Sequence, residues 1–305
     1  MHARIERTAL CLVAVAVVPY TALKVLWLAG GTAGARTADQ VSELHSTRMV
    51  VGNVVTIGLE LLAVALAVAL VHPWGRRVPA WMVLGLAAGA TGLLAPILVG
   101  LGLGSALQLL ADGDLRTGGM EDMSPWVFAV AYGGFGLLAV GIGLLAWRYT
   151  LDRWGRELAG PPRRPGGWAV AAGAVGLLPF GSCMVWWGLL GPGESGPQGM
   201  DAVSQRTVLV VSGLLAVAGW LAPLLTRASS SPRARAAWLV TWTGCTAAAM
   251  QAVAQGLLAN RGNPTPVLVL LACLAVPGAA TYGLAVLRRR LSEPEASRRL
   301  EAGAA

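Results

Sequence analysis

Pro19-Tyr20-Thr21-Ala22-Leu23-Lys24-Val25-Leu26-Trp27 lies inside the first long apolar run of the chain and carries Lys24, the only lysine in the protein. An ammonium facing hydrocarbon at that position is expensive, so Lys24 must find a partner or reach a headgroup. An altered copy of the stretch returns as Pro179-Phe180-Gly181-Ser182-Cys183-Met184-Val185-Trp186-Trp187. The recurrence reads as an internal duplication, with the exchange of Lys24 for Met184 marking where the halves diverged.

Outward from this stretch, apolar runs of about 20 residues follow one another to the end of the chain, each long enough to cross a hydrocarbon core of roughly 30 Å. Only 12% of residues are charged and 55% are hydrophobic, with a mean hydropathy of +0.63. Soluble domains carry about 25% charged residues, so a soluble fold is excluded. Forty glycines would weaken soluble helices, whereas in membrane helices Gly and Ala let backbones approach closely.

Eight segments are expected: about Thr8–Gly30, Met49–Val71, Ala80–Gly104, Pro125–Trp147, Trp168–Leu190, Thr207–Leu225, Ala236–Leu258 and Pro266–Leu287. The rival reading of the first as a cleaved leader, with Ala33-Gly34-Ala35 as the cleavage site, fails on length, since a leader core runs about 7–15 residues. The chain then divides into a first four-helix repeat (1–150), a basic linker (151–167), a second four-helix repeat (168–290) and a charged tail (291–305). With eight crossings both termini share a side. The loops on that side hold seventeen of the twenty-two arginines, and the opposite loops hold five together with eight of the fifteen acids. The positive-inside rule makes the termini cytoplasmic. This alternation also argues against nucleic-acid binding as the meaning of the +8 charge.

The repeat has independent support. At an offset of 160, Pro19, Val25, Trp27 and Gly31 match Pro179, Val185, Trp187 and Gly191; at 158, Ser46 and Arg48 match Ser204 and Arg206; at 157, Ala80-Trp81 matches Ala237-Trp238. Four crossings per half give parallel repeats, related by an axis roughly along the membrane normal.

Lys24 and Glu60 are the only ionisable acid or base side chains well inside the expected helices. Asn53, Thr56 and Glu60 fall at i, i+3 and i+7 on one face of the second segment. These four residues form the candidate binding site. By a rise of about 1.5 Å per residue, Lys24 and Glu60 differ in depth by roughly 10 Å, which long side chains close or which Asn53 or Thr56 bridges. In the second half, Met184 replaces Lys24 and Ala218 replaces Glu60, so both members of the pair are absent together. Three readings follow: a lock between the first two helices (or a lysine that snorkels), a transport or sensing site, or a site of chemistry.

The third lacks its parts. There is no His-Glu-x-x-His helix, no P-loop and no Gly-x-Ser-x-Gly elbow, so no catalytic residue and no cofactor is assigned. Gly100-Leu101-Gly102-Leu103-Gly104 imitates part of a dinucleotide fingerprint but has no strand before it, and reads as packing. Asp112, Asp114, Glu121 and Asp122 form an acidic outer loop without the spacing of a calcium loop. Glu43 and His45 lack a third ligand, so no metal is assigned. Cys11, Cys183, Cys245 and Cys273 read as small buried hydrophobes. Gln251 and Gln255 read as interhelical hydrogen-bonding groups, and Trp186, Trp187 and Trp220 as deep packing residues.

The Pro-Tyr-x3-Lys-x2-Trp-x2-Gly-Gly run at residues 19–31 resembles one found in uncharacterised integral membrane proteins of GC-rich actinobacteria. The resemblance implies no activity, substrate or cofactor. The expectation is an all-α membrane protein of the bacterial cytoplasmic membrane, a transporter-like permease or the membrane subunit of an assembly. Its partner is the lipid bilayer, and the Arg-rich linker is available to a protein partner. The alternatives are an accessory or sensory protein that docks through that linker, and, third, an intramembrane enzyme.

Overall fold

The computed structural model describes residues 2–115, 123–226 and 231–291. Among the described residues ten α-helices run in the order α1 (His2–Leu28), α2 (Ala38–Leu44), α3 (Thr47–Val71), α4 (Ala80–Pro96), α5 (Gly102–Asp112), α6 (Pro125–Trp154), α7 (Gly167–Leu190), α8 (Val203–Leu225), α9 (Ser231–Leu258) and α10 (Pro266–Leu291). A turn of π-helix, Ile97–Leu101, joins α4 to α5 directly after Pro96. Pro96 cannot donate a hydrogen bond, and the wider π turn absorbs the break. Outside the helices, the described residues pair as strand only in one isolated bridge, Ala35 with Met123.

Among the described residues seven stretches are long and apolar enough to cross a membrane: Arg4–Leu28, Thr47–Val71, Ala80–Asp112, Pro125–Trp154, Gly167–Leu190, Val203–Leu225 and Pro266–Arg288. The third expected segment ends later than its sequence suggests, because α5 continues through Gln108 to Asp112. Asp112 therefore closes a helix instead of sitting in an outer loop. Glu121, Asp122 and the tail from residue 292 lie outside the described residues. The polar connection after α1 also departs from a plain loop. Asp39 and Glu43 belong to α2, which Thr37 caps through its side chain, while Ser46 caps α3 in the same way.

α9 is the expected segment that does not qualify as a crossing by apolarity alone. Its 28 residues are ample for a crossing, but Arg233, Arg235, Gln251, Gln255 and a run of Thr and Trp leave it less apolar than the others. Among the described residues, seven helices and not eight meet the requirement by themselves.

The chain forms two compact units: Met1–Leu98 with Ser105–Tyr149, and Val99–Gly104 with Thr150–Ala305. In the first, α6 lies along α1 through small residues. A Cβ on Gly134 would meet the Ala16 carbonyl at 3.1 Å, and one on Gly141 would meet the Val13 side chain at 2.9 Å. The Tyr149 hydroxyl donates to the Gly75 carbonyl at 3.1 Å, and Arg148 pairs with Glu6 at 3.3 Å.

In the second unit α7 packs on α8, α8 on α9, α9 on α10 and α10 back on α7, a closed ring. Glycine pairs set the closest approaches. A Cβ on Gly176 would sit 2.8 Å from the Gly278 Cα, and one on Gly219 would sit 2.7 Å from the Gly244 Cα. Leu177, Phe180, Met184, Ala216, Ala248, Ala275 and Tyr282 fill the interior. The glycines of the false dinucleotide motif pack here as well: Gly100 abuts Val208 and Gly104 abuts Ser204, both on α8.

Candidate functional site

The site is built where α3 crosses α1 in the first unit. Lys24 and Glu60 are 1% and 5% exposed, and the Lys24 Nζ lies 2.6 Å from the Glu60 Oε1. The depth mismatch read from the sequence closes without a bridge. Side chains on a helix lean toward its N-terminus, so on two antiparallel helices Lys24 and Glu60 lean toward each other.

The hydroxyl that supports the pair is not the one expected. Thr56 turns its hydroxyl back onto its own helix, donating to the carbonyls of Gly52 (2.8 Å) and Asn53 (3.1 Å). Thr21, one turn before Lys24, instead donates its hydroxyl to the Glu60 Oε2. Glu60 is thereby held at both oxygens by one helix. Tyr20, four residues before Lys24, places its ring 3.8 Å from the ammonium, measured to the ring centroid. A ring face at that distance attracts a cation. Tyr20 and Thr21 escaped the sequence reading, although their i−4 and i−3 spacing from Lys24 was a usable signal.

Aromatic side chains of α6 back the site. Tyr20 meets Phe135 edge-on at 5.6 Å between centroids, and Phe135, Tyr132 and Phe128 continue in a row along α6. Toward the connection between α1 and α3, Leu23, Trp27, Leu44, Met123 and Val127 form a buried apolar cluster. Trp27 closes that end by donating its indole N–H to the Ala33 carbonyl at 2.8 Å.

Asn53 is the unexplained member. It is 6% exposed, shares the face of Glu60 two turns away, and its Nδ2 has no hydrogen-bond partner. A buried polar group left without a partner costs about 1–3 kcal/mol. Asn53→Leu, similar in volume and without the amide, is therefore expected to raise the Tm of the purified protein. Thr21→Val is expected to lower Tm and Thr56→Val to change it little, which thermal unfolding in one detergent checks for all three.

The remaining candidates do not assemble. Among the described residues no group of three His, Cys, Asp or Glu side chains stands close enough to hold a metal. Glu43 faces Arg48 at 3.7 Å with both half exposed, and His45 ends α2. All four cysteines are free; Cys245 is buried, Cys183 half-buried, and Cys11 and Cys273 are exposed, so only one is the fully buried hydrophobe expected. Gln251 is buried with a partner of its own. Of the three deep tryptophans, Trp187 is core, Trp220 donates to the Val170 carbonyl at 3.2 Å, and Trp186 points outward at 63% exposed.

Seven long apolar helices make the chain a multi-pass membrane protein. No protein-family model, curated protein or solved structure matches it.

Proposed function

We propose that this is a transporter-like permease of the bacterial cytoplasmic membrane, or the membrane subunit of an assembly, with Lys24, Glu60 and Asn53 as its polar site and no catalytic role. The observation that carries this reading is the pairing of two buried charges on a helix face that also carries, two turns away, a buried amide nitrogen without a partner. A pure interhelical lock needs the ion pair and Thr21 but gives Asn53 no task. A passing solute with a hydrogen-bond acceptor gives it one. Thr56 spends its hydroxyl on the Gly52 and Asn53 carbonyls of its own helix and takes no direct part in the polar site.

In this reading α9 is the eighth crossing, shielded from lipid on the flanks that it packs against α8 and α10. The even count then puts both termini on the cytoplasmic side, where the arginine-rich loops fall. The duplication draws support from matched burial: Lys24 and Met184 are each 1% exposed, and Trp27 and Trp187 each 4%. The second copy keeps the burial of Lys24 at Met184, whereas Ala218, opposite the buried Glu60, is only half-buried; both replacements are apolar, which leaves the polar site unique to the first copy.

The test is aqueous access to residue 60. In a background with Cys11, Cys183, Cys245 and Cys273 replaced by serine or alanine, Glu60→Cys is expected to react with a small charged thiol reagent added from one side of a vesicle. A cysteine at 60 that reacts from neither side, in a protein that still folds, ends the pathway reading.

A further inference from the structure

The arginines of the second unit gather at one end of its helical ring. Arg163 and Arg164 precede α7, Arg233 and Arg235 lie in the first turns of α9, and Arg288 lies in the last turns of α10. Three hydrogen bonds tie these elements together at that level. The Trp238 indole donates to the Gly160 carbonyl at 2.9 Å, the Trp220 indole to the Val170 carbonyl at 3.2 Å, and the Tyr282 hydroxyl to the Trp220 carbonyl at 2.6 Å. The segment before α7 is therefore fixed in place, with Leu158 packed against the core. Asp152 and Glu157 also lie at this end, but Arg153 and Arg156 in the same stretch offset them. Arg163, Arg164 and Arg288 have interactions of their own, and by formal charge the arginines of these segments still outnumber the two acids.

Two observations say what it is for. Arg233 and Arg235 have no hydrogen bond or ion pair among the described residues, and the Nε of Arg235 is shut off from solvent with no acceptor. Arg233 is exposed and Arg235 partly so, and a guanidinium is a rigid fork of donors matched to phosphate and carboxylate oxygens, so the group that their open donors fit is an anion. The spans Gly167–Leu190, Val203–Leu225 and Pro266–Arg288 begin or end at this level, which sets the arginines at headgroup height. Trp168, 71% exposed just after Arg163 and Arg164, supplies an interfacial ring there. An anion fixed at headgroup height beside an exposed indole is a phospholipid phosphate.

We infer that the basic end of the second unit binds the headgroup of an anionic phospholipid, with Arg233 and Arg235 as the phosphate ligands and Arg163, Arg164 and Arg288 supplying the surrounding field. The site is separate from Lys24 and Glu60 and does not depend on the permease reading.

The experiment places the full chain in nanodiscs of equal phosphatidylcholine and phosphatidylglycerol, and counts by native mass spectrometry the lipids that stay bound. The wild-type chain is expected to retain phosphatidylglycerol in preference to phosphatidylcholine, and inorganic phosphate is expected not to displace it. Neutralising Arg233→Gln and Arg235→Gln is expected to weaken that preference roughly fivefold per charge removed. Arg76→Gln with Arg77→Gln, in the first unit, is expected to leave it unchanged. Equal retention of the two lipids by the wild-type chain overturns the inference without any variant being needed. So does an Arg233/Arg235 variant that folds and retains lipid as before. Displacement by inorganic phosphate would make this a free-anion site, and a co-purifying protein lost with the two arginines, without lipid preference, would make it a protein dock; either result also overturns it.

Discussion

Lys24→Met and Glu60→Ala are each expected to destabilise the protein strongly, and the double variant to recover most of the loss. Each single change strands a charge that is 5% exposed or less, and breaking a buried pair in this way costs about 3–5 kcal/mol. Placing a lone charge at depth in a membrane helix gives a similar figure, about 2.5–3.5 kcal/mol. The replacements are those the second half of the chain carries, Met184 and Ala218. Thermal unfolding of the four proteins in one detergent gives the coupling energy directly. Thr21 adds an asymmetry: after Lys24→Met it still donates to Glu60, whereas after Glu60→Ala the ammonium keeps only the Tyr20 ring. Glu60→Ala is therefore expected to be the more damaging single change. A coupling near zero would mean that the two charges are not partners in the folded protein.

Gly244→Ala is expected to be among the most damaging single-methyl additions in the second unit. A Cβ there would overlap the Leu215 carbonyl and lie 2.6 Å from the Gly219 Cα. Both obstacles are backbone, so no side-chain rotation relieves them and α8 must separate from α9. Overpacking of a fitted contact costs about 1–3 kcal/mol, and a backbone obstacle puts this case at the upper end. Gly85→Ala is the control. It lies on an exposed face of α4 with nothing within 4 Å of the added carbon, and it is expected to be neutral or stabilising by up to about 1 kcal/mol. Thermal unfolding of both variants checks the contrast; equal effects would mean that α8 and α9 are not held at glycine distance.

The difference between these two glycines shows what a sequence withholds. Gly85 lies in an Ala- and Leu-rich stretch and Gly244 among threonines, Trp242 and Cys245, and neither neighbourhood says which glycine another helix touches. One faces outward and the other carries a helix crossing, because contact is a property of two segments and a composition is a property of one. The apolar helices of the first half, by contrast, were legible in outline, since a run of about 20 apolar residues has few other ways to satisfy its backbone. α9 fell short because its threonines, tryptophans and glutamines lower hydropathy while three neighbouring helices hold them inside the unit.

The sequence by itself determined the class of protein, the long helices, and the pair of residues at which charge meets the membrane interior. Each follows from solvation, which acts on a residue wherever the chain puts it. Only the tertiary structure decided that Lys24 and Glu60 touch, that Thr21 and not Thr56 holds the carboxylate, that Tyr20 covers the ammonium, and that Asn53 is left without a partner. Those facts depend on the direction in which side chains lean across a particular helix crossing, and a one-dimensional pattern carries no such direction.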